Sequence, residues 1–381
     1  MTTDTSSISS PQFVPVETSK LKSSARNSTL EGLRGFAALL VIVSHVYEMA
    51  VTGALIPPAS NAAVGQAIEH LGGFGVYLFF MISGYLIIQS LSKHADVKRF
   101  LKNRAFRIYP CFAFLHIIMF TLGVWSGYEW MGSLRHSLSR YVIHFCSNLL
   151  FLPGIFDLPI AQKVAWSLSY EFAFYLLASL WFLAASLSRR RNSSGILLAA
   201  ICAALIVSVV YYHASALFFL VGISIYTGRN YLMAIQGWRS LAFFGGITLA
   251  LMFAFRANLL LSLLFGWLFF VTIVGETGWF SVVMRWRGLQ YLGKISYSLY
   301  LIHPFALNLW RSVLHRLYAH AHSPGLSMLL FASGGFFFSV ALASLMYRYI
   351  EVDFTRWISG KGKIREEIQA EMQSKNPEFI S

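Results

Sequence analysis

A chain of 381 residues that is 56% hydrophobic and only 12% charged has more apolar surface than a soluble core can hide, which excludes an ordinary water-soluble domain. The formal net charge is +14, but Lys and Arg sit between long apolar runs and no basic patch is interleaved with exposed aromatics, so a nucleic-acid partner is excluded. Cys111, Cys146 and Cys202 are too few and too far apart for a disulfide framework or a metal site, and read as packing residues.

Residues 1–29 are polar, rich in Ser and Thr, and hold no apolar run before Leu30. They read as a disordered cytosolic tail, not a cleaved leader. Apolar runs of spanning length, about 17–25 residues, then follow. They fall at 30–50, 73–92, 106–125, 165–187, 195–211, 213–229, 240–255, 258–275, 294–315 and 326–349. The pairs 195–211/213–229 and 240–255/258–275 have very short connections and read as tight helical hairpins, with a re-entrant segment in place of one span as the alternative. Between the third and fourth runs lies the long segment 126–164. Its apolar stretch Tyr141–Leu152 is too short to span, and Pro153, Gly154 and Pro159 follow it. An acceptor-binding lid and a simple packing cap both fit this segment.

The predicted fold class is therefore all-α: a polytopic integral membrane helical bundle of about ten transmembrane helices. The distribution of charge gives it an orientation. With the N-terminus in the cytosol, 24 of the 30 Lys and Arg residues fall on inner segments. The outer segments keep Arg135, Arg140, Lys163, Arg256, Arg311 and Arg316. Both termini are then cytosolic, with a transmembrane domain over 30–351 and a cytosolic C-terminal tail over 352–381.

An ionisable side chain at mid-bilayer costs at least ~2.5–3.5 kcal/mol on insertion scales, so each one calls for a reason. Arg34, His45, Glu48, Glu171 and His303 are in that position. Arg34 and His45 share the first helix eleven positions apart, which at ~100° per residue is within ~20° of three full turns. They point the same way, ~16 Å apart along the axis. Arg suits an anchor for phosphate because its planar fork binds bidentately. His suits proton transfer because imidazole titrates near pH ~6.5. Glu48 lies one turn beyond His45, where it either orients the imidazole or marks the outer end of the span. Glu171, in Trp166-Ser-Leu-Ser-Tyr-Glu-Phe, falls at about the depth of His45, so it either meets His45 or makes a structural polar contact between helices. Arg104 and Arg107 open the third helix, where with Arg34 they form an anion site or simply obey the positive-inside rule. His303 precedes Pro304 in mid-span and either lines the same cavity or bonds a neighbouring backbone group. Ser83-Gly84 is a small pair amid bulky residues, which close helix packing explains.

These segments together resemble the acyltransferase-3 family of bacterial membrane acyltransferases. The likeness runs from about Leu30 to Glu351. It rests on Leu30-Glu-Gly-Leu-Arg-Gly-Phe-Ala-Ala-Leu with His45, on Phe79-Phe-Met-Ile-Ser-Gly-Tyr-Leu86, on Arg104-Ala-Phe-Arg-Ile-Tyr-Pro110, on Trp166–Tyr175, and on Leu292-Gly-Lys-Ile-Ser-Tyr-Ser-Leu-Tyr-Leu-Ile-His-Pro304. The resemblance implies ten transmembrane helices in a bacterial inner membrane. It implies O-acyl transfer from an acyl-CoA co-substrate, acetyl-CoA by default, to a hydroxyl of a saccharide or glycolipid acceptor. No bound cofactor and no metal are expected. Arg34 and His45 become the catalytic pair with Glu171, while Arg34, Arg104 and Arg107 hold the acyl-CoA. Glu48, His303, Tyr300 and Ser83 are candidates to line the cavity. One departure stands out: many members carry two adjacent carboxylates where this chain has Glu171 followed by Phe172. Two rivals use the same residues differently. A transporter of a small organic acid would run them as a relay, although no inverted repeat is visible. A non-catalytic scaffold would not need Arg34 and His45 on one face.

Overall fold

The computed structural model of the protein describes residues 27–56, 62–94, 96–189, 193–234, 242–317 and 324–359. The predicted N-terminal tail lies outside these residues up to 26, and 360–381 lie outside them entirely. The described residues are helical without a strand; one isolated bridge joins Pro153 and Phe156.

Helix α1 (Ser28–Thr52) starts where Asn27 accepts a hydrogen bond from the Leu30 amide, satisfying one of the free donors of the first turn. Helix α2 (Ala62–His94) follows, then α3 (Val97–Ile118), capped in the same way by Asp96. The helical path of α3 continues through a π turn (Met119–Gly123) to Ser126. A 3₁₀ segment (Glu129–His136) leads to α4 (Leu138–Leu149), and then come α5 (Trp166–Arg189), α6 (Ser193–Tyr212) and α7 (Leu217–Ala234). The rest is α8 (Gly245–Ala254), α9 (Leu259–Val274), α10 (Gly278–Met284), α11 (Arg287–Lys294), α12 (Ser296–Leu317) and α13 (Pro324–Met346). Beyond α13 a π-helical stretch (Tyr347–Phe354) runs into the short α14 (Thr355–Ile358).

Each predicted apolar run coincides with a helix, but the count of ten spans is not confirmed. Among the described residues six helices are long and apolar enough to cross a membrane, or up to seven if the bent pair α9–α10 is one span. The shortfall has local causes. Helix α7 is only 18 residues long and includes Arg229 and Asn230. Helix α8 has 10 residues. Helix α12 carries His303, Pro304, Asn308 and Arg311. Helices α9 and α10 are bent by 69° at a break that includes Glu276 and Gly278, both at positive φ. The protein is thus a multi-pass membrane protein whose described residues form helices and no strand.

Helix α1 is the hub. It packs against α2, α11 and α12 and also touches α10 and α13. One apolar cluster joins it to α2, α7 and α9, and another to α12 and α13. Both ends of α1 therefore face protein, which is why its polar side chains are held inside the bundle. Of the two predicted hairpins, α8–α9 packs as one. The other does not: α6 leans on α5 and barely touches α7. The reason is the turn between them, where His213 is held away by the Tyr170 hydroxyl at 2.7 Å and the Ile155 carbonyl at 3.2 Å.

Gly84 plays the packing role predicted for it. A Cβ on Gly84 would collide with the Phe219 carbonyl of α7, and one on Gly222 with that of Met81. The α2 and α7 backbones approach so closely that no side chain fits between them. Gly84→Val is expected to separate them and destabilise the protein by ~1–3 kcal/mol or more, as overpacked cores do. Thermal unfolding in detergent measures this, and an unchanged transition would contradict the packing.

The long segment 126–164 folds as a cap on the end of α3. Phe120, Met131, Leu134 and Ala161 form its own small core. Asn148 pins it, donating to the His144 and Pro159 carbonyls and accepting from the Ala161 amide. The opposite face of α4 leaves Leu138, Val142 and Ile143 exposed, as a helix lying in a membrane interface would. Cys111 and Cys202 are buried as expected, whereas Cys146 on α4 is exposed and does not pack.

Candidate active site

Two helices bring the predicted cationic residues together. Arg34 from the first turns of α1 and Arg104 and Arg107 from α3 line one cavity with Glu171 of α5 and Ser83 of α2. Tyr175, Tyr297 and Tyr300 complete its polar wall. Arg104 and Arg107 reach the same side because they are three residues apart on one helix. Among the described residues, no carboxylate lies within ion-pairing distance of any of the three guanidinium groups. Arg104 instead sits over the rings of Phe100 and Tyr175, at 5.3 and 5.5 Å. Arg34 is within electrostatic reach of Arg107, Glu31, Glu171 and Glu351. Like charges held together inside a bundle, without a bonded counter-ion, form a site for an anion.

Glu171 lines this cavity and makes the alternative contact, between helices, with no hydrogen bond or ion pair to His45 among the described residues. Its Oε1 accepts hydrogen bonds from Ser83 Oγ at 2.8 Å and from the Tyr175 hydroxyl at 2.6 Å. Tyr175 lies one turn further along the same face of α5, so the carboxylate is held between α2 and its own helix. Matching depth along two helices does not fix which way each faces, and here they face different neighbours. Ser83 thus does more than fill space: it orients Glu171.

His45 occupies a second place. Its Nδ1 is 2.9 Å from the Val41 carbonyl, one turn back on α1. Its ring meets that of His303 edge to face, with centroids 5.0 Å apart. On the α2 side Gly72 packs closely here: a Cβ on it would come 2.9 Å from Ser44 Oγ and 4.0 Å from the His45 Cε1. Glu48 does not orient His45; it pairs with Lys163 just before α5, which fits the marker of a span's end.

Tyr300 borders both places. It lines the arginine cavity, and its ring is 6.0 Å from that of His303. Its hydroxyl is bonded to Ser167 at 2.7 Å and to the Val164 carbonyl at 2.9 Å, which fixes the ring. Of the four candidates to line the cavity, Ser83 and Tyr300 do, while Glu48 and His303 do not.

Glu351 is the functional candidate the sequence reading passed over. It lies two residues past the predicted end of the last span, in the π-helical stretch, a helix form common at functional sites. Its Oε2 accepts from Ser298 Oγ at 2.6 Å, and Arg107 and Arg34 are its charged neighbours. Its charge next to an apolar run was the available signal.

An all-helical, multi-pass membrane bundle with an unpaired guanidinium cluster at one place and an imidazole pair at another defines a class of membrane protein able to hold an anion and move a proton. The comparison with known proteins narrows the class. Residues 27–348 match the acyltransferase domain family, and the chain belongs to that family. It is 32% identical over 167 residues to the acyltransferase MdmB of Streptomyces mycarofaciens, covering 41% of this chain and 39% of that protein. It is 26% identical over 165 residues to nodulation protein 10 of Rhizobium leguminosarum bv. viciae, covering 40% of this chain and 44% of that protein. It is 27% identical over 164 residues to the O-acetyl transferase of Shigella phage Sf6, covering 41% of this chain and 46% of that protein. The matched region is less than half the length of each of these relatives. No solved structure matches the chain.

Proposed function

We propose that the protein is a membrane O-acyltransferase that moves an acyl group, acetyl by default, from acyl-CoA to a hydroxyl of a saccharide acceptor. The observation that carries this reading is the cluster of three guanidinium groups without ion-paired carboxylates around one cavity. CoA is a polyanion, and Arg is the side chain best matched to its phosphates. The printed names of two relatives, an acyltransferase and an O-acetyl transferase, support the reaction type.

The chain crosses a bacterial inner membrane ten times in this reading, with both ends in the cytosol, on the strength of the loop charges. Arg34, Arg104 and Arg107 then lie toward the cytosol, where acyl-CoA is made. His45 lies toward the other face. The thioester arm passes Tyr300, and the acceptor hydroxyl arrives beside His45. His45 Nε2 takes the hydroxyl proton as the oxygen attacks the thioester carbonyl. The carbon–sulfur bond breaks, and the proton passes to the thiolate. Its Nδ1–H is committed to the Val41 carbonyl, which leaves Nε2 as the acceptor.

Membrane vesicles of defined sidedness test this. Labelled acetyl-CoA is expected to label a saccharide-containing acceptor only when added on the cytosolic face. Flux of a small organic acid in the absence of acyl-CoA, with no label transferred, would contradict the reading and favour a transporter.

A further inference from the structure

His303 is the most deeply placed titratable side chain next to His45, and the steps above do not use it. It is 0% exposed. Its Nδ1 lies 3.2 Å from the Leu299 carbonyl, one turn back on α12, so the proton of the neutral ring belongs on Nδ1. That leaves Nε2 as a bare acceptor, and Nε2 has no hydrogen-bond partner. A buried acceptor without a donor is unfavourable and calls for an explanation. Its neighbour supplies one. The His45 ring stands edge to face against it at 5.0 Å, with its own Nδ1 likewise committed to a carbonyl of its own helix. Neither ring has a hydrogen to give the other in the resting state.

We propose that His303 is a positioning residue that stabilises the protonated state of His45. The inference rests on the acyl-transfer reading, in which His45 passes from neutral imidazole to imidazolium. At that moment a neutral imidazole with an unclaimed lone pair lies beside a new positive charge, in a place of low dielectric. A carboxylate would stabilise that cation more, but would sit charged and buried in the resting state. A neutral imidazole avoids that charge while still favouring the cation. His303 exchanges no proton. The hydroxyl proton goes to His45 Nε2 and from there to the leaving thiolate sulfur. Tyr300, fixed by Ser167 and Val164, lines the arginine cavity and packs beside His303 with ring centroids 6.0 Å apart.

Two substitutions separate this role from packing. His303→Phe keeps a flat ring against His45 and Tyr300 but has no lone pair. His303→Gln keeps an uncharged acceptor at the reach of Nε2. Transfer of label from saturating acetyl-CoA to the endogenous acceptor is measured in membranes containing each full-length variant, with protein content determined in parallel. The Phe variant is expected to lose roughly tenfold or more of its maximal rate with KM for acetyl-CoA unchanged, and the Gln variant to stay within about threefold of wild type. A Phe variant as fast as wild type, or a Gln variant as slow as Phe, overturns the proposal. Nitrogen-15 NMR of histidine-labelled wild-type protein gives a reading that needs no variant. His303 is expected neutral with its proton on Nδ1, and a proton on Nε2 overturns the proposal. Absence of label transfer by the wild type is a separate result, which removes the acyl-transfer reading itself.

Discussion

His45→Ala is expected to abolish acyl transfer while leaving the protein in the membrane. General-base catalysis contributes ~10²–10⁴-fold, and the sites around His45 offer no second base committed to the same task. The structural cost is small. The Nδ1 bond to Val41 is local to one turn of α1, so its loss leaves the Val41 carbonyl within its own helix. Replacing a polar side chain by alanine also makes α1 a better span. His303 would lose its ring contact but would keep the Leu299 bond. The transfer rate and the amount of protein in the membrane fraction are measured together. A normal rate in a normally inserted variant would remove His45 from the mechanism.

Arg34→Lys is expected to raise KM for acyl-CoA by ~10–150-fold, the range that corresponds to ~1.5–3 kcal/mol for a hydrogen bond to a charged group. The substitution keeps the charge, so it separates charge from geometry. Lysine offers a point charge where arginine offers a planar fork, and only the fork meets a phosphate through two parallel bonds. The maximal rate is expected to change less than KM, because Arg34 is ~16 Å along the helix from His45. The effect should persist at high salt, because a contact held inside the bundle is screened much less than an exposed one. Arg107→Lys is expected to behave similarly, since Arg107 shares the cavity and the same charged neighbours. A rise in KM absent from both variants would mean that the cavity does not bind the donor.

The sequence made some of this legible and hid the rest for identifiable reasons. Helix α1 was readable because a bilayer enforces apolar length and because the 3.6-residue turn places Arg34 and His45 on one face. Arg104 and Arg107 were readable for the same reason. The first eleven residues of α2 were not. Gln66, Glu69 and His70 make that stretch too polar to register as a span, yet it is helical. Turn geometry gives the depth of Glu171 but not its direction across the bundle. Its true partners, Ser83 and Tyr175, depend on how α2 and α5 pack. The contact between His45 and His303 is hidden in the same way, since the two residues are on helices far apart in the chain. Glu351 was missed because hydropathy stopped the last span just short of it, whereas the helix runs on to Ile358. The bend between α9 and α10 did leave a trace, in Gly275 and Gly278 around Glu276.

Mechanistically, the two places divide the work. In the proposed reaction the guanidinium cavity holds the donor's charge and His45 takes the proton, with Tyr300 between the two places. This separation suits a reaction whose donor and acceptor come from opposite faces of a membrane. It also accounts for the central position of α1, which together with α12 contributes to both.

The central claim is that the protein adds an acyl group to a saccharide. Mass spectrometry of surface and exported glycans from wild-type cells and from cells lacking the protein tests it most directly. The account predicts one acyl mass added per modified site, present in the wild type, lost in the deletion strain and not restored by His45→Ala. Glycans identical in the two strains would contradict it.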